Sequence, residues 1–394
     1  MVDASLSEIK EQSKVLLRVD YNMPRVNGKW LVNERLTQTL PIINQCLKKQ
    51  CSILLVSHLG RPEPGFYQAE YSFKTLVPIL AQTLQRPVRL LPDWPNRPPD
   101  LMPGEVGLAE NTRFLKGETS NSTDLSKAMV ANIDVVIMDA FACAHRSHAS
   151  TVGMMRQAKQ VLLGTNHQAE IEAIQSITHQ TGQNRLALIG GKKLSTKLPL
   201  LRQLLKFFPT LCVGGGLANT LLYAQGYPLG CSWIEYDHLK QAEAFLKLAG
   251  QHDCRVYVPK DVVVSQGSPK PGADIRTVPI NAIQPNECIV DIGPDSVAEY
   301  KNVINQQSYS YWNGPMGIYE LDFGKRASIQ LAKQLSGGRA LVGGGDTLSC
   351  IKAMPDLTFT HKSTGGGSFL HLLANQTSPV LEAYRASIRE TISQ

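Results

Sequence analysis

No apolar run in this chain approaches the roughly 18 residues that a membrane helix needs. That leaves a membrane-spanning helix out of consideration. The eight cysteines, at positions 46, 51, 143, 212, 231, 254, 288 and 350, include no Cys-x-x-Cys pair, so the usual spacing of zinc and dithiol sites is missing. They read as buried, reduced thiols of a cytoplasmic protein. Met1 to Gln12 is charged and lacks the apolar core of a secretory signal. Neither Gly-x4-Gly-Lys-Ser/Thr nor Gly-x-Gly-x-x-Gly occurs, so neither of the two common phosphate-binding fingerprints applies. Tandem repeats are absent as well. The net charge of +7 suits an acidic partner. The basic residues nevertheless form no runs and do not interleave with aromatics, which favours a small anion over nucleic acid.

What the chain does have is length and alternation. Its 394 residues exceed one hydrophobic core, so two domains are expected. Strand-like runs at Val15–Asp20, Ile53–His58, Val88–Leu91, Gly107–Glu110, Val135–Asp139 and Val161–Leu163 fill the first half. A second set covers Leu186–Gly190, Leu211–Gly214, Arg255–Val258, Cys288–Ile292, Tyr309–Trp312 and Ala340–Gly343. Helical spacing lies between them, as in Leu36, Leu40, Ile43 and Leu47, or Leu239, Ala242, Phe245 and Leu246. The pattern predicts an α/β protein with two doubly wound, Rossmann-like parallel-sheet domains. The expected boundaries are 1–166 and 184–376. The helical stretch Gln168–Thr178 and the break Thr181–Asn184 form a hinge over 167–183.

The two sets of strands end differently. In the second half they end in glycines: Gly190-Gly191 before Lys192 and Lys193, Gly214 to Gly216, and Gly343-Gly344-Gly345 before Asp346 and Thr347. Gly365 to Gly367 form a further triplet. Glycines there let backbone N–H groups approach a ligand, and helix starts attract phosphate. Lys193 and Lys197, four apart, would share a helix face and repel unless an anion lay between them. Asp346 beside exposed amides suits Mg²⁺ bridging to nucleotide phosphates. Trp312 to Gly317, continuing to Glu320, reads as a nucleotide-contact loop. In the first half the strands end instead in Asp20 and Asn22, in His58 and Arg61, in Arg113, and in Asp139 followed by His145 and Arg146, while Arg35 opens a helix. Arginine forks bind carboxylate and phosphate in a bidentate manner, so this half reads as a small-anion site.

Taken in order along the chain, these motifs resemble the phosphoglycerate kinase family. The likeness rests on Arg18 to Asn22, Ser57 to Pro62, Glu110 to Phe114, Asp139 to Val152, the Gly190 lysine loop, Gly214 to Gly216, Trp312 to Gly317, Gly343 to Thr347 and Ser363 to Gly367. It implies a glycolytic phosphotransferase that moves a phosphoryl group reversibly between 1,3-bisphosphoglycerate and MgADP, giving 3-phosphoglycerate and MgATP. It implies that Asp20, Asn22, Arg35, His58, Arg61, Arg113 and Arg146 contact the phosphoglycerate. Gly191, Lys193, Lys197, Gly215, Asn313, Glu320, Gly343, Gly345, Asp346 and Thr347 would contact the nucleotide, with Glu320 on the ribose hydroxyls and Asp346 at the Mg²⁺. Arg35, Lys193, Lys197, Gly344 and Gly366 would serve the transfer itself. The tail 377–394 would return to the first domain. A cytoplasmic, hinge-bending monomer with no nucleic-acid or membrane partner is expected. Five positions depart from the family's usual pattern: Lys192 (usually small), Thr196 (usually acidic), Ala142 and Cys143 (usually Gly-Thr) and His371 (usually Glu).

Overall fold

The six first-half runs meet in one parallel sheet, whose inner strands are apolar and covered on both faces. The computed structural model describes residues 6–26, 28–178 and 184–392. Thr181 to Gln183, most of the expected break, lie outside that range. The chain divides into two units, Met1–Glu172 with Gly367–Gln394, and Ala173–Gly366.

In the first unit the strands are β1 (Lys14–Arg18), a small hairpin of β2 (Arg25–Val26) and β3 (Lys29–Trp30), β4 (Ser52–Val56), β5 (Val88–Leu91), β6 (Val106–Ala109), β7 (Val135–Met138) and β8 (Gln160–Leu163). The sheet order is β5-β6-β4-β1-β7-β8, all parallel. From β1 the chain builds outward through β4, then returns to place β7 on β1's other side. Ligands of open α/β sheets sit at the carboxyl ends of strands where the order reverses. That end carries Asp20, His58 and Asp139.

The stretch expected as one helix from Arg35 to Lys48 is two helices, Glu34–Thr37 and Leu40–Lys48. Pro41, in the first turn of the second, has no N–H to donate and its ring clashes with the carbonyl four residues back. Leu36, Ile43 and Leu47 are buried all the same. The helices Gly367–Asn375 and Pro379–Ile392 belong to this unit. Val380 N–H donates to the Ala144 carbonyl at 3.3 Å, and Val380, Ala383 and Tyr384 are buried.

The second unit contains β9 (Arg185–Ile189), β10 (Thr210–Val213), β11 (Arg255–Tyr257), β12 (Asp261–Gln266), β13 (Ile275–Pro279), β14 (Glu287–Ile292), β15 (Tyr309–Asn313), β16 (Ala340–Gly343) and β17 (His361–Ser363). Its parallel sheet runs β11-β10-β9-β15-β16-β17. The order reverses between β9 and β15, so Gly190 and Asn313 share the switch point.

Two expectations fail here. The apolar run Cys288–Ile292 is not in the parallel sheet: β14 pairs antiparallel with β12, which pairs antiparallel with β13. An apolar run reports burial and does not name its partner strand. The cysteines are not all reduced either. Cys231 and Cys288 form a disulfide, while the other six are buried and free. Their separation of 57 residues gave no local signal. No described helix is long and apolar enough to cross a membrane.

Candidate functional site

In the first unit the carboxyl ends of β1, β4 and β7 bring charged side chains around His58. Arg18 closes β1 and is almost fully buried, with 1% of its surface exposed. Its Nε donates to the Ser150 carbonyl at 3.2 Å and to Ser150 Oγ at 3.3 Å, Nη1 donates to the Val19 carbonyl, and Nη2 reaches His58 Nδ1 at 3.3 Å. Behind it lies buried Glu118, whose carboxylate accepts from Ser150 Oγ at 2.6 Å, Ser150 N at 2.9 Å and Thr112 Oγ1 at 3.3 Å. The pair of opposite charges is thus linked through Ser150 and satisfied by hydrogen bonds, as burial requires.

Around this base stand the residues expected from the sequence. Arg35 Nη1 pairs with Asp20 Oδ2 at 2.9 Å and donates to the Asn22 carbonyl at 2.8 Å. Asn22 Oδ1 accepts from Gly60 N–H at 3.0 Å, and Asp20 Oδ1 accepts from Asn22 N–H at 3.1 Å. Burial holds His58 well below the usual imidazole range, and Arg18, Arg113, Arg146 and Arg35 push it further in the same direction. His58 is therefore neutral. Arg113 Nε is buried without a partner. Arg146 Nε donates to His145 Nε2 at 3.1 Å, which leaves His145 Nδ1 to donate to Ser368 Oγ at 2.6 Å.

Cys143 Sγ lies 3.8 Å from both His58 Nδ1 and Arg18 Nη2. Burial pushes its thiol up, so it stays protonated. The potential ligand atoms of Asp20, His58 and Cys143 lie within 4.8 Å of one another. Four guanidinium groups act on His58, and their charge favours an anion over a metal cation at this place. Arg61 stands apart. It is exposed after β4 and makes no hydrogen bond or ion pair with another described residue.

In the second unit the switch point is tightly closed backbone. A Cβ on Gly190 would lie 2.0 Å from the Pro315 carbonyl oxygen, so only glycine fits. Gly190 N–H donates to the Asn313 carbonyl at 3.0 Å and Gly191 N–H to the Pro315 carbonyl at 2.9 Å. Lys197 Nζ bonds Asn313 Oδ1, and Asn313 Nδ2 donates to Tyr311 Oη at 2.8 Å. Thr347 Oγ1 accepts from Gly314 N–H at 2.6 Å and donates to the Gly343 carbonyl at 2.9 Å. Gly344, at φ 95°, caps the helix Gly345–Ile351, whose first turn carries exposed Asp346. Burial lowers the pKa of Lys197, and Asp346 partly offsets this.

Gly191, Gly215, Glu320 and Asp346 line one cavity of about 410 Å³. Tyr319 Oη donates to Asp346 Oδ1 at 3.3 Å. Lys193 corrects an expectation. It is the extended N-cap of the helix Leu194–Leu204, not a helical residue four before Lys197, so the two do not share a helix face. Lys193, Gly345 and Gly366 are exposed. Sequence reasoning passed over Arg18, Glu118, Tyr319 and the cavity residue Trp233. Arg18 did carry a signal, since an arginine ending an apolar strand must find partners if it is buried.

The phosphoglycerate kinase family profile matches residues 6–376. The chain belongs to the phosphoglycerate kinase family. It is 36% identical to the phosphoglycerate kinase of Coxiella burnetii over 382 residues, covering 96% of this chain and 97% of that one. The phosphoglycerate kinase of Legionella pneumophila (strain Lens) is also 36% identical, with 93% of each chain covered. The solved structure from Coxiella burnetii superposes with a TM-score of 0.89 at 35% identity, covering 98% of this chain and 99% of that one. The enzyme from Pyrococcus horikoshii gives 0.84 at 25% identity, with the same coverage. Membership in the phosphoglycerate kinase family makes the chain a kinase of glycolysis whose acceptor is a carboxyl group.

Proposed function

We propose that the first unit holds the phosphoglycerate and the second the nucleotide, and that the residues named from the sequence are the contacts. The observation that carries this is the convergence of Arg18, Arg35, Arg113 and Arg146 on neutral His58. Arg113 Nε is a buried donor still to be matched, and a phosphate or carboxylate oxygen matches it. Arg146, Arg61, Asp20 and Asn22 complete the set. In the second unit Gly191, Gly215, Gly343, Gly345 and Thr347 offer backbone or hydroxyl contacts, Asn313 and Lys197 a polar pair, and Glu320 an acceptor for ribose hydroxyls. Asp346 is a single exposed carboxylate beside glycine amides, which fits Mg²⁺ held jointly with nucleotide phosphates. When bound, the ion neutralises phosphate charge.

In the forward direction an oxygen of the ADP β-phosphate attacks the phosphorus of the acyl phosphate, and the bond from that phosphorus to the carboxyl oxygen breaks. The products are ATP and the 3-phosphoglycerate carboxylate. No covalent protein intermediate is needed, so the residues act by alignment and charge neutralisation. Arg35, Lys193, Lys197 and the amides near Gly344 and Gly366 face the charge on the moving group in this reading. An acyl phosphate in a wet site would hydrolyse, so water must be excluded while both substrates are held. The reading keeps 1–166 with 377–394 and 184–376 as the substrate-binding domains, 167–183 as hinge, and a cytoplasmic monomer without nucleic acid.

ATP formation from 1,3-bisphosphoglycerate and ADP, followed with and without Mg²⁺, tests it. Mg²⁺-dependent ATP formation is expected, with no phosphorylation of acetate or aspartate in the reverse direction. Transfer to acetate at a comparable rate would reject the assignment of the first unit to phosphoglycerate.

A further inference from the structure

One wall of the second unit's cavity is an exposed tryptophan whose surrounding backbone is anchored. Trp233 lines the cavity with 46% of its surface exposed, unusual for so large an apolar side chain. The backbone around it is tied down at several points. Asn219 Nδ2 donates to the Trp233 carbonyl at 3.2 Å. One residue earlier, Ser232 Oγ accepts from Ile289 N–H at 2.9 Å, and before that Cys231 is bonded to Cys288. Two residues later, the Glu235 carboxylate accepts from Ser195 N–H at 3.0 Å and Ser195 Oγ at 2.6 Å. The ring edge lies against Gly216, where a Cβ would come within 2.9 Å of Trp233 Cδ1. Lys192 Nζ stands 4.3 Å from the ring centroid. An aromatic ring carried on an anchored segment and open to a cavity is a stacking surface.

The ammonium on that ring changes what can stack there. Lysine has three donors and no acceptor. The exocyclic group at C6 of adenine is an amino donor, whereas guanine presents a carbonyl acceptor at O6 beside the acceptor N7. Hypoxanthine carries the same 6-oxo group. A base that stacks on the ring takes the place of the Lys192 ammonium, whose flexible stem lets it move to the base edge; there it can donate to a 6-oxo group, while a 6-amino group offers it a further donor. Apolar lining from Val262, Ile289 and Met316 suits a flat base, while Glu320 and Asp346 suit its sugar and metal-phosphate parts.

We propose that Trp233 and Lys192 together select the nucleobase, and that this chain accepts 6-oxopurine nucleotides, GDP and IDP, at least as well as ADP. The inference rests on the reading that this cavity holds the nucleotide. The partner Lys192 contacts is the stacking ring itself.

The test is kcat/KM with 1,3-bisphosphoglycerate for ADP, IDP and GDP. IDP isolates the 6-oxo group, because it lacks the amino group of guanine. The wild type should use IDP and GDP as well as ADP or better. Lys192→Met should lower the IDP:ADP ratio about tenfold or more, the order of one charge-assisted hydrogen bond. Lys192→Arg, which keeps the donor, should retain the ratio. Trp233→Leu should raise KM for all three purines, and Trp233→Phe should restore it in part. A wild type that prefers ADP tenfold over IDP, or a ratio unmoved in Lys192→Met, overturns the proposal while leaving the kinase reading intact. No transfer to any of the three nucleotides would reject the kinase reading itself. Equilibrium binding of ADP and IDP to the same variants gives a second readout, independent of turnover: the affinity ratio should move with the kinetic one, and an unmoved affinity ratio also overturns the proposal.

Discussion

Arg18 Nη2 lies 3.3 Å from His58 Nδ1. A guanidinium can only donate, so Nδ1 accepts and the proton of the neutral ring sits on Nε2. Arg18 is itself held through Ser150 to Glu118. A buried ion network thus sets the tautomer of the histidine at the centre of the arginine cluster. Two consequences can be separated. Arg18→Met should destabilise the protein, because Ser150 and His58 Nδ1 would lose their buried donor and the Glu118 network one of its nearby cations. Arg18→Lys should keep the charge but lose the fork, and ¹⁵N spectra of His58 should then show mixed tautomers. A pure Nε2–H signal in that variant would remove Arg18 from the positioning role.

Arg35 and Arg61 should behave differently. Arg35 is half-buried and paired with Asp20, whereas Arg61 is exposed and uncoupled. Arg35→Ala should lower kcat and kcat/KM together, by roughly 100-fold or more if it stabilises the moving phosphoryl group. Arg61→Ala should chiefly raise the KM for 3-phosphoglycerate. Steady-state kinetics at fixed ionic strength decide it, and a normal kcat in Arg35→Ala would exclude the transition-state role.

Asp346→Asn should raise the Mg²⁺ concentration needed for half-maximal rate and leave the affinity for 3-phosphoglycerate nearly unchanged, because it removes one carboxylate charge near the metal. Tyr319 gives a second handle. Burial, then the Asp346 and Glu320 charges, push its hydroxyl up to about 12. Loss of the Asp346 charge should bring that titration down. An unchanged Mg²⁺ dependence would count against Asp346 as a ligand.

The first unit should be acid-sensitive in a defined window. Burial lowers His167 to about 3 and His148 to about 4, and holds His58 and His145 below their ordinary values. An unfolded histidine titrates near about 6.5, so below that pH the unfolded chain binds more protons than the folded one. Stability therefore falls as pH drops from about 6.5 and levels off only near the folded pKa values. The fully buried His167 alone accounts for about 5 kcal/mol across that range. Urea melts between pH 7.5 and 4.5 should show this slope. His167→Leu, which removes the titrating ring from its contact with Phe141, should flatten it. An equal slope in both proteins would assign the acid loss to other groups.

The family was legible early because its motifs reside in local chain. His58, Arg113, Asp346 and the glycines after Leu186–Ile189, Leu211–Val213 and Ala340–Val342 all lie just past apolar runs, and parallel sheets put strand ends together. Eleven of the twelve expected runs lie in the two parallel sheets, for the same reason. What the sequence determined by itself was therefore the order of apolar runs, the residues that end them, and the Pro41 break that its own missing N–H dictates. Tertiary structure decided everything that depends on a distant partner. It took β14 out of the parallel sheet to pair with β12, joined Cys231 to Cys288, linked Arg18 to Glu118 through Ser150, and laid Lys192 over Trp233. None of these has a local signature, because each arises from contacts between segments 21 to 132 residues apart or from burial that one segment cannot achieve alone.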